Sequence, residues 1–194
     1  MSNKFPEAER ERIRERLFDT GFDLLRKGGI KAVNIDVLTE QCFIAKGTFY
    51  YVFPSKSDFL YSVMRRKRAQ TKEKLKDFLN ENGLLSRQGL YEYLQWMCAE
   101  NPNIFSYLNE QETRWLVSEW PKEYLESENN DQVTAFWLIS YLADPKPSPD
   151  WQLFCNLLKL AAWTLNSKEF LISDAYQQTI HILITSACQC VCCN

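Results

Sequence analysis

Two helix-breaking positions near the N-terminus set narrow limits on how this chain can fold. Gly28-Gly29 stops a long, charged helix that opens at Pro6, and Pro54 stops the segment that follows. The interval has room for only two short helices, "IDVLTEQC" and "KGTFYYVF", joined by "FIA". Asn34 can cap the first of these by accepting from amides two or three residues further on. We therefore predict three helices within the first 54 residues, with a very short turn between the second and third.

Helical periodicity continues through the rest of the chain. Ser55 is placed to cap a helix that runs to about Gly83, and five further helical segments follow, interrupted by the proline-rich linker "DPKPSP". No segment shows the alternation typical of a strand. The sequence predicts an all-α fold with a first domain over residues 1–54 and a second over residues 55–194, of which residues 55–83 form a connecting helix.

Charge is distributed unevenly between the two halves. Residues 1–75 hold 16 Lys and Arg against 10 Asp and Glu, a net charge of +6, and the remainder holds 7 against 15, a net charge of −8. A basic first part indicates contact with a polyanion, although scattered surface charge is the alternative. The longest apolar stretch is broken by Asn156 and Lys159 and is too short to span a bilayer. We expect a cytoplasmic protein whose seven cysteines are thiols.

Two short helices joined by a tight turn form the helix-turn-helix pattern, in which the second helix enters the major groove of DNA with its N-terminal end leading. Here that end carries Lys46, Gly47 and Thr48. Lys46 can supply charge to phosphates or base edges, Gly47 permits close approach of the backbone, and Thr48 can reach bases or a thymine methyl.

The aromatic residues of the same helix divide between two faces. Phe49 and Phe53 are four residues apart and are predicted to face a three-helix core, whereas Tyr50 and Tyr51 are predicted to point toward the duplex. Lys56, at the start of the next helix, is predicted to be exposed and to meet phosphate. The alternative is that these aromatics are only core and that the three helices form a protein-interaction module.

The segment "NIDVLTEQCFIAKGTFYYVFPSKSDFL" closely resembles the DNA-binding segment of TetR-type transcriptional regulators, and the resemblance covers residues 8 to about 62. The core pattern of that segment is Lys-Gly-x-Phe/Leu-Tyr-x-x-Phe-x-x-Lys, matched here by Lys46, Gly47, Phe49, Tyr50, Phe53 and Lys56. The resemblance implies a homodimer that binds a palindromic double-stranded operator, most commonly as a repressor. It also implies a C-terminal domain that binds a small effector and forms the dimer interface. The candidate DNA contacts are Asn34, Ala45, Lys46, Gly47, Thr48, Tyr50, Tyr51 and Lys56.

Three residues depart from the family pattern. Ala45 stands where a phosphate-contacting Ser is common, and Val52 replaces a polar or aromatic residue. Phe43 occupies a turn position that is usually small or Gly. Because a bulky residue in a left-handed conformation costs about 1–2 kcal/mol, we expect this turn to be built differently.

All six tryptophans fall between Trp96 and Trp163. Aromatic walls interleaved with a few acids can enclose a flat, apolar or cationic ligand, whereas the alternative is that aromatics at helical spacing fill the core. The candidate effector-pocket residues are Trp96, Phe105, Glu112, Trp115, Trp120, Trp137 and Trp163.

The last two helices are apolar on more than one side. One side of the earlier helix carries Leu153, Leu157 and Leu160, and another side carries Trp151, Phe154, Leu158, Ala161 and Leu165. A helix that is apolar nearly all round must be covered all round, so we predict a four-helix dimer interface; burial inside a monomer is the alternative. The candidate interface residues are Trp151, Phe154, Leu158, Ala161, Leu165, Tyr176, Ile180, Leu183, Ile184 and Ala187.

The sequence offers no nucleophile–base constellation, phosphate-binding loop or metal-spaced histidine pair, so we predict no catalytic residue, no cofactor and no metal ligand. "CQCVCC" is explained most simply as small residues at a helix end, with thiol redox sensing as an alternative. The leading interpretation is a TetR-type regulator released from its operator by a small molecule. The alternative is a TetR-like helical protein that acts as a partner-binding or redox- or metal-responsive module without operator binding.

Overall fold

The computed structural model describes residues 6–99, 107–122, 126 and 131–193. Over these residues the fold is all-α, as predicted, and contains two isolated bridges but no strand. The helices are α1 Glu7–Ala32, α2 Ile35–Gln41, α3 Lys46–Val52, α4 Lys56–Lys74, α5 Arg87–Ala99, α6 Glu110–Glu119, α7 Asp131–Ile139, α8 Trp151–Asn166 and α9 Ser173–Val191. Short 3₁₀ helices span Leu75–Phe78 and Lys168–Phe170. None of the helices in the described segments is long and apolar enough to cross a membrane.

The described chain divides into two compact units. The first unit ends at Arg68 and also includes Tyr107–Trp120, so that α6 belongs with the N-terminal helices. The second unit contains the described residues from Ala69 onward apart from that segment. The point of division therefore falls inside α4.

An aromatic cluster forms the centre of the first unit. Phe18 of α1, Phe49 and Phe53 at α3, and Phe59 of α4 are buried, with ring centroids 5.1–6.4 Å apart in the contacting pairs. Gly21 leaves room for this cluster, since a Cβ added there would lie 2.4 Å from the Phe59 ring. Interlocked aromatic rings contribute attraction beyond their buried area, and they fix how α3 sits on α1.

The predicted helix signals of the first unit are confirmed. Helical dihedral angles are interrupted by a kink at Gly28 and Gly29 within the span of α1, and Gly29 adopts a φ of +65°, which favours glycine. The Asn34 side chain accepts from the Asp36 amide (2.8 Å), and the Ser55 hydroxyl accepts from the Asp58 amide (3.0 Å). These bonds satisfy amides that have no partner within their own helices.

Helix α4 ends earlier than predicted, at Lys74 rather than near Gly83. The chain passes through the 3₁₀ helix to an extended Leu79 and then turns. In this turn the Asn80 side chain accepts from the Asn82 and Leu84 amides, and Gly83 has a φ of +73°. Asparagine and glycine favour such a turn over a continued helix.

Helices α8 and α9 make the most extensive helix pairing of the second unit. Its core draws on α5, α7, α8 and α9, with Leu90, Ala135, Phe154 and Ile184 among the buried residues. The "DPKPSP" stretch joins α7 to α8 inside this unit. It is anchored by backbone bonds between residues 144–150 and residues 190–193, the C-terminal end of α9 and the residues that follow it.

Candidate nucleic-acid interface

The turn between α2 and α3 is a Schellman motif built around Phe43. The Ile44 amide donates to the Thr39 carbonyl and the Phe43 amide donates to the Glu40 carbonyl, both at 3.0 Å. Phe43 itself has a φ of +53°. The expectation that this bulky residue forces a different turn is wrong, because the two hydrogen bonds hold the left-handed conformation. The Phe43 side chain remains 89% exposed.

Helix α3 separates its aromatic residues as predicted. Phe49 and Phe53 are buried, whereas Tyr50 and Tyr51 remain 47% and 45% exposed. The two phenylalanines join the aromatic cluster that includes Phe59 and hold the helix in place. The two tyrosines are therefore partly exposed to solvent, and their contact with DNA stays a prediction.

The N-terminal end of α3 is open and carries one cation. Lys46 is exposed and lies 2.7 Å from Asp36 of α2. The hydrogen bond to Asp36 and the charge of its carboxylate raise the pKa of Lys46. A Cβ added at Gly47 would meet no heavy atom within 4 Å, which leaves the backbone accessible. Ala45 is the N-cap residue and Thr48, half-buried, lies in the first turn.

Lys56 is placed differently from the prediction. Its side chain is half-buried, and its Nζ donates to the Ile30 carbonyl (2.7 Å) at the end of α1. Burial lowers the pKa of Lys56, and the nearby Glu112 carboxylate opposes that shift. The predicted exposure of Lys56 is therefore wrong, because its ammonium is bound within the unit. Its contact with phosphate stays a prediction.

Glu112 of α6 holds the same end of α1 from another side. With Asn109 it forms a capping box, and its carboxylate also accepts from the Lys31 amide at 3.3 Å. The carboxylate lies where a side chain of Gly29 would be, 2.6 Å from an added Cβ. Lys56 and Glu112 thus fix the short bend that leads into α2. The Asn-x-x-Glu spacing could have predicted the capping box, but not its contact with α1.

The predicted effector-pocket residues are divided between the two units. Glu112, Trp115 and Trp120 belong to the first unit; Trp96, Trp137 and Trp163 belong to the second. Phe105 lies outside the described residues. That they enclose one ligand stays a prediction.

Two tryptophans of the second unit serve its own packing. Trp96 stacks on Tyr93, and Trp137 lies edge-on to Tyr141. The ammonium of Lys74 lies 5.8 Å from the Trp96 ring, and that of Lys72 lies 5.1 Å from the Trp137 ring. The cation–π partners of these two rings are therefore lysines of the same chain. Trp163, in contrast, is 59% exposed.

The predicted dimer face of α8 and α9 requires a correction. Six of its residues are buried within the second unit, so a second copy cannot reach them: Phe154, Ala161, Tyr176, Ile180, Ile184 and Ala187. The remaining four are half-buried against the same core: Trp151, Leu158, Leu165 and Leu183. For the six buried residues the prediction is wrong, because the side of α8 that carries Phe154 and Ala161 packs inward, against α9 and α5.

The opposite side of the two helices is the exposed one. Leu160 of α8 and Ile182 of α9 are 50% and 53% exposed. Leu153 and Leu157 of α8 line one shallow pocket with α9 residues, including Ser186. We call Leu153, Leu157, Leu160 and Ile182 the outer apolar face.

The cysteines near the C-terminus are mostly buried thiols. Burial raises the pKa of Cys188 to about 12 and that of Cys98 to about 11. Desolvation disfavours the thiolate, which is the form that reacts and binds metals. These positions have the properties of packing residues.

No family model matches the chain. A segment of 60 residues is 42% identical to the HTH-type transcriptional repressor KstR of Mycolicibacterium smegmatis; it covers 31% of this chain and 29% of that protein. The KstR repressor of Rhodococcus jostii is 24% identical over 184 residues, which cover 91% of this chain and 84% of that protein.

Solved structures of similar fold cover most of the chain. A TetR-family transcriptional regulator from Agrobacterium tumefaciens superposes with a TM-score of 0.67 at 13% identity, over 95% of this chain and all of that one. The regulator FadR of Bacillus subtilis, in complex with stearoyl-CoA, has a TM-score of 0.52 at 16% identity, over 90% of this chain and 95% of that one. The architecture is thus that of the TetR-type regulators. The sequence similarity to the KstR repressors agrees with this likeness in fold.

Proposed function

We propose that this protein is a transcriptional repressor that binds palindromic operator DNA as a homodimer and is released by a small-molecule effector. The observation that carries the proposal is the division of α3 into two faces. Phe49 and Phe53 fix the helix on the unit, while Lys46, Gly47, Tyr50 and Tyr51 remain on its open side. A rigidly held helix that presents polar and aromatic groups at its leading end is suited to the major groove.

The chemistry of the open side supports DNA over a protein partner. The tyrosine hydroxyls can donate to phosphate oxygens, Lys46 can exchange Asp36 for a phosphate, and Gly47 allows close backbone approach. Helix α3 contains no acidic residue, so a polyanion meets no like charge along it. The relatives and structures described above are transcriptional regulators, which favours the same conclusion.

The outer apolar face is the surface that we assign to the second copy. Leu153, Leu157 and Leu160 follow one side of α8, and Ile182 of α9 is exposed as well. Two helices from each subunit would pair around a two-fold axis and bury these side chains. A dimer would carry two copies of α3, one for each half-site of a palindromic operator, whose half-sites recur roughly 34–36 Å apart.

The proposed effector is a small organic molecule. FadR of the same fold is bound to stearoyl-CoA, which supports a small organic ligand for a chain of this architecture. A compound that releases DNA must bind the DNA-free form more tightly, and the coupling must be equal in both directions, typically about 1–3 kcal/mol. With stearoyl-CoA as the first probe, its affinity measured by tryptophan fluorescence should fall when saturating operator is present. Equal affinities would exclude stearoyl-CoA as the releasing effector.

The experiment that tests DNA binding begins with selection from a randomised duplex pool. We expect a palindromic sequence to be recovered and bound by two subunits per duplex. Its affinity should fall steeply with salt, because each phosphate contact displaces counterions. A protein that recovers no sequence and binds a mixed duplex independently of salt would contradict the proposal and favour the partner-binding alternative.

A further inference from the structure

The fold of the first unit does not explain why a phenylalanine occupies position 43. It lies in the turn before α3, at a φ of +53°, with 89% of its surface exposed. The left-handed conformation disfavours a residue with a Cβ, and the exposed ring adds almost nothing to the packing of the unit. Glycine would satisfy the Schellman motif at lower cost, because the motif uses only the backbone of this residue.

Backbone strain concentrates at functional sites, where a cost in stability is compensated by a contact made elsewhere. The position of Phe43 indicates where that contact lies. The residue precedes the N-cap Ala45 by two positions and Lys46 by three, and the N-terminal end of the second helix leads a helix-turn-helix into the major groove. The ring therefore lies beside the surface that we assign to DNA.

We propose that the Phe43 ring packs on an apolar part of the operator, either a deoxyribose or a thymine methyl group. This inference rests on the proposed DNA-binding function and adds to it a contact that carries no charge. The phenyl ring has no polar atom, so it can only exclude water from an apolar partner. In duplex DNA the sugar rings and the thymine methyl groups are the apolar partners that a groove-edge residue can reach.

The test uses Phe43→Gly, which suits the left-handed turn better than the native residue. We expect its urea midpoint to equal or exceed that of the wild type, because strain is removed and the packing of the unit is unchanged. Its affinity for the selected operator duplex should nevertheless fall by about tenfold, as expected for a partly buried phenyl ring. The slope of log affinity against log salt should not change, since the phenyl ring displaces no counterion.

Lys46→Ala is the matched control on the same turn. It removes a cation, so its salt slope should decrease by about one for each phosphate that the ammonium neutralises in the wild type. Replacing thymidine by deoxyuridine in the duplex then separates the two apolar sources. If the difference between wild type and Phe43→Gly disappears on that duplex, the thymine methyl is the partner; if the difference persists, the partner is the sugar.

Three outcomes would overturn the inference. If Phe43→Gly binds the operator like the wild type while Tyr51→Ala binds more weakly, Phe43 has no DNA contact but the proposed function stands. If Phe43→Gly lowers the urea midpoint, the residue has a structural role. If the variant changes the sedimentation coefficient and not the DNA affinity, the ring contacts a second copy. Failure of the wild type to bind any duplex would instead remove the proposed function, and this inference with it.

Discussion

Helices α3 and α8 both carry large side chains on an inner, buried side and on an outer, exposed side. The two helices differ in the chemistry of the outer side. In α3 the inner side is phenylalanine and the outer side is tyrosine, whose hydroxyl groups interact well with water or phosphate. In α8 the inner side includes Phe154 and the outer side includes Leu160. Neither of these two side chains has a polar atom. An exposed tyrosine can remain in contact with water through its hydroxyl group. A row of exposed leucines instead indicates a surface that binds another apolar surface.

The largest expected effect comes from neighbouring positions on α8. Ala161→Arg introduces a charge at a fully buried site, which should cost on the order of 5 kcal/mol through overpacking and desolvation. Leu160→Arg, one residue earlier and half exposed, should change the free energy of unfolding of the subunit by less than about 1 kcal/mol. Urea unfolding at a protein concentration low enough to dissociate the wild-type dimer compares the two variants with the wild type.

The same pair locates the dimer interface. Leu160→Arg should give folded monomers in sedimentation velocity, because the arginine lies on the outer apolar face. A folded Leu160→Arg dimer that forms as tightly as the wild type would show that this face does not mediate association. A stable Ala161→Arg protein would show that the inner side of α8 is not the core.

Phe49→Ala should have the next largest effect. The ring is fully buried among Phe53 and Phe59, and a buried Phe→Ala change costs about 3–5 kcal/mol. The substitution should lower the stability of the first unit, measured by proteolytic cleavage within α1–α4. An unchanged cleavage rate would contradict the aromatic cluster as the anchor of α3.

Sequence reasoning succeeded where a residue's chemistry differs between the two sides of an element. Gly28-Gly29, Asn34 and Pro54 mark helix ends, and the Phe/Tyr division predicts the faces of α3. Sequence reasoning assigned the wrong side of α8 to the dimer interface. The sizes of Phe154 and Ala161 do not indicate whether the same chain or a second copy covers them. Sequence reasoning also placed Lys56 outside, because only the tertiary fold brings the Ile30 carbonyl within reach. The left-handed Phe43 was missed because two backbone hydrogen bonds outweigh its intrinsic preference.

A smaller effect concerns the cysteines and tests the alternative of a thiol-responsive protein. Burial raises the pKa of Cys188 to about 12 and that of Cys98 to about 11. A thiolate forms only as the pH rises toward the pKa, so at pH 8 these thiols should react with a disulfide reagent at least about a hundredfold more slowly than a free thiol. Urea should abolish this protection. Rapid labelling of both residues in the native protein would instead favour redox sensing.

The measurement that tests the central claim most directly is the effect of Tyr51→Ala on operator affinity and on folding, made on the same protein preparation. Tyr51 lies on the open side of α3. We predict that binding to the selected duplex weakens by about 1–3 kcal/mol, as for the removal of one DNA-contacting side chain, while the urea midpoint stays within the error of the wild type. A variant that binds DNA unchanged but unfolds at lower urea would contradict the account, because the outer side of α3 would then stabilise the unit instead of contacting DNA.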